Sequence, residues 1–393
     1  MKKLKIKCRP EDFTVEELAS LPLAERGRFA VYWLSKRGWN TADALQRIAK
    51  ASGVPYDRFA YGGKKDRHGL TGQWVTVEDR RSCSVSEPHY TFELRGYSDQ
   101  PMGPQWIQGN RFAVTVRHLT SGDVRRALAE LETTADAGFV NYFDDQRFGG
   151  FDRELGSPAE RLLRGERSEA LKIFTAGIHT EDTKAAKERK LKLREAWGDW
   201  PACLALAQTR WEREIFGLLA RQPQDVDVAL QRLSRETASL AVSAFQSLVW
   251  NETMRRWLSR RGWGERHYTG KAGEYVFYGA LAPEDCSFLL GLDVPLADAR
   301  AAMPDAELGR IYADVLAERR LAPPDFGRFP LRQAYFKSAP RLAAVKPEAV
   351  SSETLADELY PRHKALRLAF TLPRGCYATM LLKRLFAAPV RKD

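Results

Sequence analysis

The sequence predicts a mixed α/β (α+β) fold in which one domain is built from both ends of the chain and a helical domain is inserted between them. Three observations support this prediction. The first third alternates strand-like and helix-like segments, and residues from about 155 to 320 are mostly helical in pattern. Alternating apolar residues then return near the C-terminus, which favours a returning strand over two domains in series.

The N-terminal third contains several strand patterns. Leu4 and Ile6 alternate with lysines, which predicts an edge strand with a basic outer face. The segment GRFAVYWLSKRG predicts a strand that ends at Gly38, and Asn40 or Thr41 can cap the following helix. In GNRFAVTVRHL, alternate apolar residues share one face of another strand.

Long helical patterns dominate the middle of the chain. TKAAKERKLKLREAW is strongly basic, and SLAVSAFQSLVWNETMRRWLSRRGW has the length and periodicity of one long helix. Near the end, LRLAFTL alternates as a strand, and YATMLLKRLF predicts a final helix. We therefore expect a discontinuous domain of residues 1–153 and 345–393, and an inserted domain of residues 154–344.

The composition favours a polyanionic partner. The 393-residue chain carries a net charge of +11 with a pI near 9.4, and nucleic acid is a better match than a membrane surface. The alternative is a basic protein with solvated lysines, and charge alone weighs the two equally. No segment has the roughly 20 apolar residues of a membrane helix, so a cytoplasmic protein is expected.

Five scattered cysteines argue against a disulfide framework and against zinc. They are Cys8, Cys83, Cys203, Cys286 and Cys376, and no two form a Cys-x-x-Cys pair. The histidines form no metal-binding motif either. GGKKDR lacks the upstream glycine and the Ser or Thr of a phosphate-binding loop, and no nucleophile elbow is present.

Asp66 is the strongest candidate for chemistry. It lies in FAYGGKKDRHGLTGQWVTV between two predicted strands, beside Lys64, Lys65, Arg67 and His68. Cations within about 4–6 Å keep a carboxylate ionised and lower its pKa, which suits a nucleophile. The alternative, which turn statistics favour for an isolated sequence, is an aspartate that only forms the turn.

A second candidate lies in GNRF. Asn110 and Phe112 are two residues apart and share one face of a strand. An aromatic ring can stack on a nucleobase while an amide binds its edge, so the pair is a possible nucleobase pocket. The alternative is that Phe112 belongs to the core and Asn110 closes a turn.

Six segments, in order along the chain, resemble motifs of the TruD family of tRNA pseudouridine synthases, which modify position thirteen of tRNA. They are RPEDFTVEEL, GGKKDRHGLTGQW, GNRF, NYFDDQRFG, AFQSLVWN and LPRGCYATMLLKRL. The resemblance implies a pseudouridine-synthase catalytic domain with a mixed, largely antiparallel sheet and a mostly helical inserted domain.

The resemblance also implies an activity and a site. The reaction would isomerise uridine in tRNA to pseudouridine without a metal or a small-molecule cofactor, and we expect a monomer. Asp66 falls on the catalytic aspartate and Lys65 on its basic neighbour. The remaining positions line or adjoin the pocket of the target uridine: Phe13, Asn110, Phe112 and Tyr377.

The chain departs from the family pattern at a few positions. Gly69 stands where alanine is usual, which we expect a turn to tolerate, and Cys376 replaces the usual serine. The basic run Lys184–Arg194 is a candidate phosphate contact; its alternative is a solvated helix face with pairs to Glu188.

Two other functions fit parts of the sequence. A non-catalytic RNA-binding or RNA-chaperone protein would share the charge and the aromatic residues but would not need Asp66. A metal-dependent nuclease would need convergent carboxylates, and the sequence offers only Asp66 and loop acids such as Asp144 and Asp145 for that role.

Overall fold

The computed structural model describes residues 4–65, 67–79 and 81–390. It divides into two compact units: Met1–Phe139 with Val345–Phe386, and Val140–Ala344 with Ala387–Asp393. The predicted domain boundary at 153/154 differs from the observed division at 139/140. The reason is that the segment following Val140 is held by side chains of the second unit, as described below.

The helices and strands are numbered in chain order. The N-terminal part contains β1 (Phe13–Ala19), β2 (Phe29–Arg37), α1 (Thr41–Ser52), β3 (Phe59–Tyr61), β4 (Leu70–Val77), β5 (Val85–Glu87), β6 (Tyr90–Ser98), β7 (Ile107–Leu119), α2 (Ser121–Ala137) and β8 (Phe139–Val140). The middle contains α3 (Pro158–Leu163), α4 (Arg167–Ala176), α5 (Lys184–Glu195), α6 (Trp200–Ala205), α7 (Arg210–Arg221), α8 (Val226–Leu230), α9 (Arg235–Arg260), β9 (Arg266–Thr269), β10 (Glu274–Phe277), α10 (Pro283–Gly291), β11 (Asp293–Pro295), α11 (Ala306–Ala317), β12 (Pro340–Leu342) and β13 (Ala344–Val345). The C-terminal part contains β14 (Glu348–Ala356), β15 (Lys364–Pro373), α12 (Ala378–Leu385) and β16 (Ala388–Pro389).

The first unit is built on one mixed sheet. Its strand order is β14-β15-β7-β1-β4-β2-β6-β5, and β3 also pairs with β4. The pairing of β1 with β4 is parallel, and the other pairings of this sheet are antiparallel. The sheet therefore combines strands from both ends of the chain, and the predicted fold class is confirmed.

Strand β4 changes its partner along its length. Its first residues, Leu70–Gly72, pair with β1, whereas Val75–Val77 pair with β3. On its other edge β4 pairs with β2 throughout. The loop of residues 62–69, between β3 and β4, therefore leaves the sheet close to the start of β1.

Most local predictions for this unit agree with the structure. Helix α1 begins after the N-cap Asn40, and Gly53 ends it in the left-handed conformation at φ +69°. Its buried side chains pack with Val75 and Phe92 in one apolar cluster. The edge strand expected at Leu4 and Ile6 is wrong, because only a single bridge between Lys5 and Arg117 forms there.

A buried ion-pair network fixes the entry to β1. Arg117 donates to both carboxylate oxygens of Asp12 at 2.7–3.0 Å and to Asp357 at 3.1 Å. All three side chains are buried. Burial by itself would raise the pKa of Asp357, but donors including the backbone N–H of His118 and the guanidinium of Arg117 hold it below its ordinary value.

The second unit is mostly helical and is organised around α9, a helix of 26 residues. The motif AFQSLVWN lies on its buried part, and its polar side chains bind backbone groups of loops. Gln246 donates to Ala297 O at 2.7 Å and Trp250 donates to Val294 O at 3.1 Å. Asn251 both accepts from Phe143 N–H and donates to Phe143 O, at 2.9 and 2.8 Å.

Arg341 completes the anchoring of the segment that follows Val140. Its Nε donates to Asn141 O at 2.7 Å, and its guanidinium lies 3.9 Å from the centre of the Phe143 ring. Residues 141–149 are thus packed and hydrogen-bonded within the second unit. Within residues 4–65, 67–79 and 81–390, no helix combines the length and the apolar character required to cross a membrane.

Arg117→Gln should destabilise the protein by about 3–5 kcal/mol, because it removes the buried cation shared by Asp12 and Asp357 and leaves Asp12 only the more distant Arg9 at 3.6 Å. Arg111→Gln, on the same strand, is the matched control. Arg111 is 62% exposed and pairs with Glu16 at 3.5 Å, so its loss should change the free energy of unfolding by less than about 1 kcal/mol. Urea titration of both variants measures the difference, and equal midpoints would contradict the role given to Arg117.

Candidate active site

The candidate site is centred on the loop of residues 62–69. Asp66 itself lies outside the described residues, but the residues on both sides of it are described. The loop follows a strand of three residues, β3, and precedes β4 at the point where β1 becomes its neighbour. Its location beside β1 is therefore set by the sheet.

Two polar side chains tie this loop to α1 and β4. The Nε2 of Gln73, on β4, donates to Gly63 O at 3.1 Å, and its Oε1 accepts from the Thr41 hydroxyl at 2.8 Å. The same hydroxyl oxygen accepts from Lys65 N–H at 3.2 Å. Gln73 and Thr41 are both buried, so these bonds are shielded from water. The sequence alone assigned neither residue to the candidate site: Thr41 was considered only as a helix cap, and Gln73 only as part of the motif GGKKDRHGLTGQW.

The side chain of Lys65 makes the central polar contact of the site. Its Nζ lies 2.7 Å from Glu17 Oε2 and donates to Asn110 Oδ1 at 2.5 Å. The Glu17 side chain is fully buried, and its Oε1 accepts from Trp74 N–H at 3.2 Å. Glu17 and Asn110 are direct partners on β1 and β7. The ammonium of Lys65 is thus held on this face of the sheet by one carboxylate and one amide oxygen.

Sequence reasoning did not identify Glu17. The available signal was its position in β1, where it shares the face of Phe13 and Val15 in an otherwise apolar row. A buried carboxylate needs a cation or hydrogen-bond donors, and Lys65 supplies the cation. The sequence predicted Lys65 as the basic neighbour of Asp66 and a substrate-binding residue, and left open whether Lys65 or Arg67 meets the Asp66 carboxylate.

The aromatic residues form a row on the same face. Phe112 lies opposite Val15 and Phe370 in the sheet. Its ring is 5.5 Å from that of Phe370 and 6.3 Å from that of Phe13, measured between ring centres. Phe13 and Phe112 are 5% and 6% exposed, so both are part of the core.

Two further groups set the position of Phe13. Asp12, the residue before it, is fixed by Arg117, and the Nζ of Lys7 lies 4.2 Å above the centre of the Phe13 ring. Cation–π contacts of this kind hold an ammonium group at a defined place. Neither Asp12 nor Lys7 was singled out as a site residue from the sequence, although Asp12 belongs to the RPEDF segment and Lys7 lies two residues before it.

Tyr377 lies at the other end of the chain. It is the N-cap residue of α12 and is half-buried. The preceding turn uses Gly375 at φ +84°, a conformation that favours glycine. Strand β15 leads into this turn, and its residue Leu372 lies directly opposite Asn110. Tyr377 therefore lies five residues after Leu372, the strand partner of Asn110.

The basic run Lys184–Arg194 falls on α5 and is largely used inside the second unit. Arg189 pairs with Glu212 at 3.0 Å, Lys190 pairs with Asp182 at 2.8 Å, and Arg194 pairs with the buried Asp152. These cations stabilise local structure, which reduces the charge that the helix can offer to a phosphate. Within the described chain, no three His, Cys, Asp or Glu side chains form a group suited to a metal ion.

Gly69 is in a tighter place than the sequence indicated. A Cβ added to it would lie 2.4 Å from the carbonyl oxygen of Phe13 and 3.4 Å from the Phe13 ring. The absence of a side chain thus allows the end of the loop to lie against the backbone of β1. The close contact therefore requires glycine at this position, whereas the sequence indicated only that a turn would tolerate glycine in place of alanine.

Comparisons with known proteins agree on one family. The family model described as tRNA pseudouridine synthase D (TruD) matches residues 3–275 and 288–385. The tRNA pseudouridine synthase D of Leptospira interrogans is 28% identical over 97% of this chain and 95% of its own length. That of Aquifex aeolicus is 27% identical over 99% of each chain.

A solved structure supports the fold independently. It is described as the putative tRNA pseudouridine synthase D (TruD) from Methanosarcina mazei, and it superimposes with a TM-score of 0.75. The match covers 98% of this chain and 93% of that chain at 21% sequence identity. Both units of the present chain are therefore present in a known architecture.

Gly69→Ala should destabilise the protein by about 1–3 kcal/mol, because the added methyl group must displace the backbone at Phe13. Gly63→Ala is the control in the same loop, since a Cβ there meets nothing within 4 Å. The free energies of unfolding of the two variants measure the effect. If both variants are as stable as the wild type, the contact between Gly69 and Phe13 is not tight.

Proposed function

The chain belongs to the tRNA pseudouridine synthase D (TruD) family, and on this premise we propose that it isomerises uridine to pseudouridine at position thirteen of tRNA. Asp66 is the catalytic carboxylate, and the reaction uses no metal or cofactor. The observation that carries the proposal is the arrangement around the Asp66 loop. Lys65 contacts Glu17 and Asn110, Phe13 lies on the same sheet face as those two residues, and Lys65 immediately precedes in sequence the residue that the family motif assigns to catalysis.

The reaction breaks the bond between N1 of uracil and C1′ of ribose and forms a bond between C5 and C1′. The uracil turns within the pocket between these steps, C5 loses its proton, and N1 gains one. Asp66 either attacks C1′ or removes a proton on the way to a glycal. The uridine must leave the RNA stack first, which costs a few kcal/mol.

Asn110 would orient the uracil. Its Oδ1 already accepts from Lys65, so the NH₂ group of the same amide is the part suited to a substrate. An NH₂ group donates hydrogen bonds, and the carbonyl oxygens of uracil are acceptors. Lys65 thereby determines which end of the Asn110 amide is presented to the base.

The aromatic residues would form the apolar wall of the pocket. Phe13 and Phe112 are mostly buried against each other and against Phe370, so the uracil would meet their edges and Lys7 above the Phe13 ring. Tyr377, at the start of α12, would close the pocket from the C-terminal strand. Such a wall excludes water while the free uracil turns.

Asp66→Asn should abolish pseudouridine formation and leave tRNA binding intact, because the amide is nearly isosteric with the carboxylate but lacks its charge. Pseudouridine is mapped by chemical labelling of unmodified tRNA, which gives the modified position as well as the rate. Asp57→Asn, an exposed aspartate before β3, is the control for the change in charge. Undiminished turnover by Asp66→Asn would overturn its catalytic role, and modification elsewhere would overturn position thirteen.

Lys65→Met should slow turnover for one of two reasons, which a second variant separates. The first is structural, since Glu17 is left buried without its cation. The second is electrostatic, since a cation beside Asp66 lowers its pKa. Glu17→Gln combined with Lys65→Met removes both charges and should restore stability.

The pH dependence of turnover then distinguishes the two reasons. If Lys65 acts on Asp66, its loss raises the pKa of Asp66, and the acidic limb of the kcat/KM profile moves to higher pH in the single and the double variant. A double variant with full activity and an unmoved acidic limb would show that Lys65 serves only to pair Glu17.

A further inference from the structure

A second feature of the first unit has no role in the site described so far. It is a cleft of about 610 Å³ beside α1, which we call the Trp39 cleft. Its lining residues are Gly38, Trp39, Asn40, Asp43, Gln46, Arg47, Lys50 and Arg67. It adjoins the Asp66 loop through Arg67, the residue that follows Asp66.

The charges of the Trp39 cleft are strongly unbalanced. Three cations line it, Arg47, Lys50 and Arg67, against the single carboxylate of Asp43. That carboxylate accepts from the Asn40 amide at 2.9 Å. Across residues 4–65, 67–79 and 81–390, neither Lys50 nor Arg67 forms an ion pair. Among the described residues, the lining of the cleft therefore carries three cations against one carboxylate.

Another cleft of the same unit is also lined by cations, but those cations form ion pairs. It has a volume of about 510 Å³ and is lined by three arginines, Arg28, Arg58 and Arg81. There, Arg28 and Arg58 pair with Glu78 at 2.6 and 3.3 Å, and Arg81 pairs with Asp79 at 2.8 Å. All three of those arginines are ion-paired, with two carboxylates between them, whereas in the described part of the chain Lys50 and Arg67 form no ion pair.

The geometry of α1 holds two of these cations in one row. Asp43, Arg47 and Lys50 are spaced by four and three residues, so they lie on one face of the helix. The opposite face carries the buried residues Leu45 and Ile48. The guanidinium of Arg47 lies 4.9 Å from the centre of the Trp39 ring, and this contact limits its motion. A restrained arginine loses less conformational entropy when it binds a phosphate.

We propose that Arg47, Lys50 and Arg67 form a phosphate-binding subsite for the RNA backbone next to the flipped uridine. This subsite rests on the proposed function, because the polyanion is the tRNA substrate. Arg67 directly follows Asp66 in the chain, so a phosphate bound by Arg67 would belong to a nucleotide near the reacting uridine. Holding the backbone there keeps the extruded nucleotide in front of Asp66 without reading its sequence.

Salt dependence of RNA binding tests the subsite. The Asp66→Asn protein serves as the background, since it binds tRNA without converting it. Arg67→Gln and the pair Arg47→Gln/Lys50→Gln are introduced into it, with Arg125→Gln on α2 as the control that removes an exposed positive charge outside the cleft. Each lost phosphate contact should reduce the slope of log Kd against log salt by about 0.7–0.9, and the control should leave the slope unchanged.

A kinetic measurement with Asp66 intact gives a second readout. The pair Arg47→Gln/Lys50→Gln should raise KM for tRNA and keep kcat within about twofold, because both residues lie on α1, away in sequence from the Asp66 loop. Salt slopes equal to that of Arg125→Gln, or a loss of kcat with KM unchanged, would overturn the subsite.

The two proposals fail in different ways. If the wild-type protein forms pseudouridine and the cleft variants bind like the control, the subsite alone is wrong. If the wild-type protein forms no pseudouridine and the cleft variants still lose salt-dependent binding, the proposed function is wrong and the cleft stands as an RNA-binding surface.

Discussion

The ion pair between Lys65 and Glu17 is the contact on which the arrangement of the candidate site depends. A carboxylate with no exposed surface is costly to bury, and the cost is offset only when a cation and hydrogen-bond donors reach it. The ammonium of Lys65 reaches Glu17 at 2.7 Å, so this part of the loop lies next to β1. The requirement to neutralise Glu17 therefore fixes the loop, and through Asn110 it also fixes an amide on β7.

Several contacts together hold the side chain of Phe13 in one position. Behind it, Asp12 is bound by the buried Arg117, which also binds Asp357 from the C-terminal part of the chain. Beside it, Gly69 lets the loop approach its carbonyl oxygen. Above it lies the ammonium of Lys7. Arg117, Asp357 and Gly69 come from segments far from Phe13 in sequence, so the folded sheet places the ring together with its near neighbours Lys7 and Asp12.

The sequence predicted the mixed sheet, the returning strand and the helical middle, because alternation and helical periodicity are local properties. It also located the Asp66 loop and the strand of Asn110 through ordered motifs. It did not predict the partners of Lys65, since a buried pair depends on which strands become neighbours. The close contact between Gly69 and Phe13 could not be predicted either, since it depends on the parallel pairing of β1 with β4. The edge strand expected at Leu4 and Ile6 failed because alternation alone does not supply a pairing partner.

The central position of β7 in the sheet has a consequence for biosynthesis. It pairs on one side with β1, which is made early, and on the other with β15, which is among the last segments made. At about 5–20 residues per second, the ribosome needs roughly 12–50 s to pass from the end of β7 to the start of β15. During that interval the open edge of β7 carries unpaired backbone groups and is exposed to association with other chains. The sheet that carries the candidate site therefore becomes complete only after the C-terminal strand β15 has been synthesised.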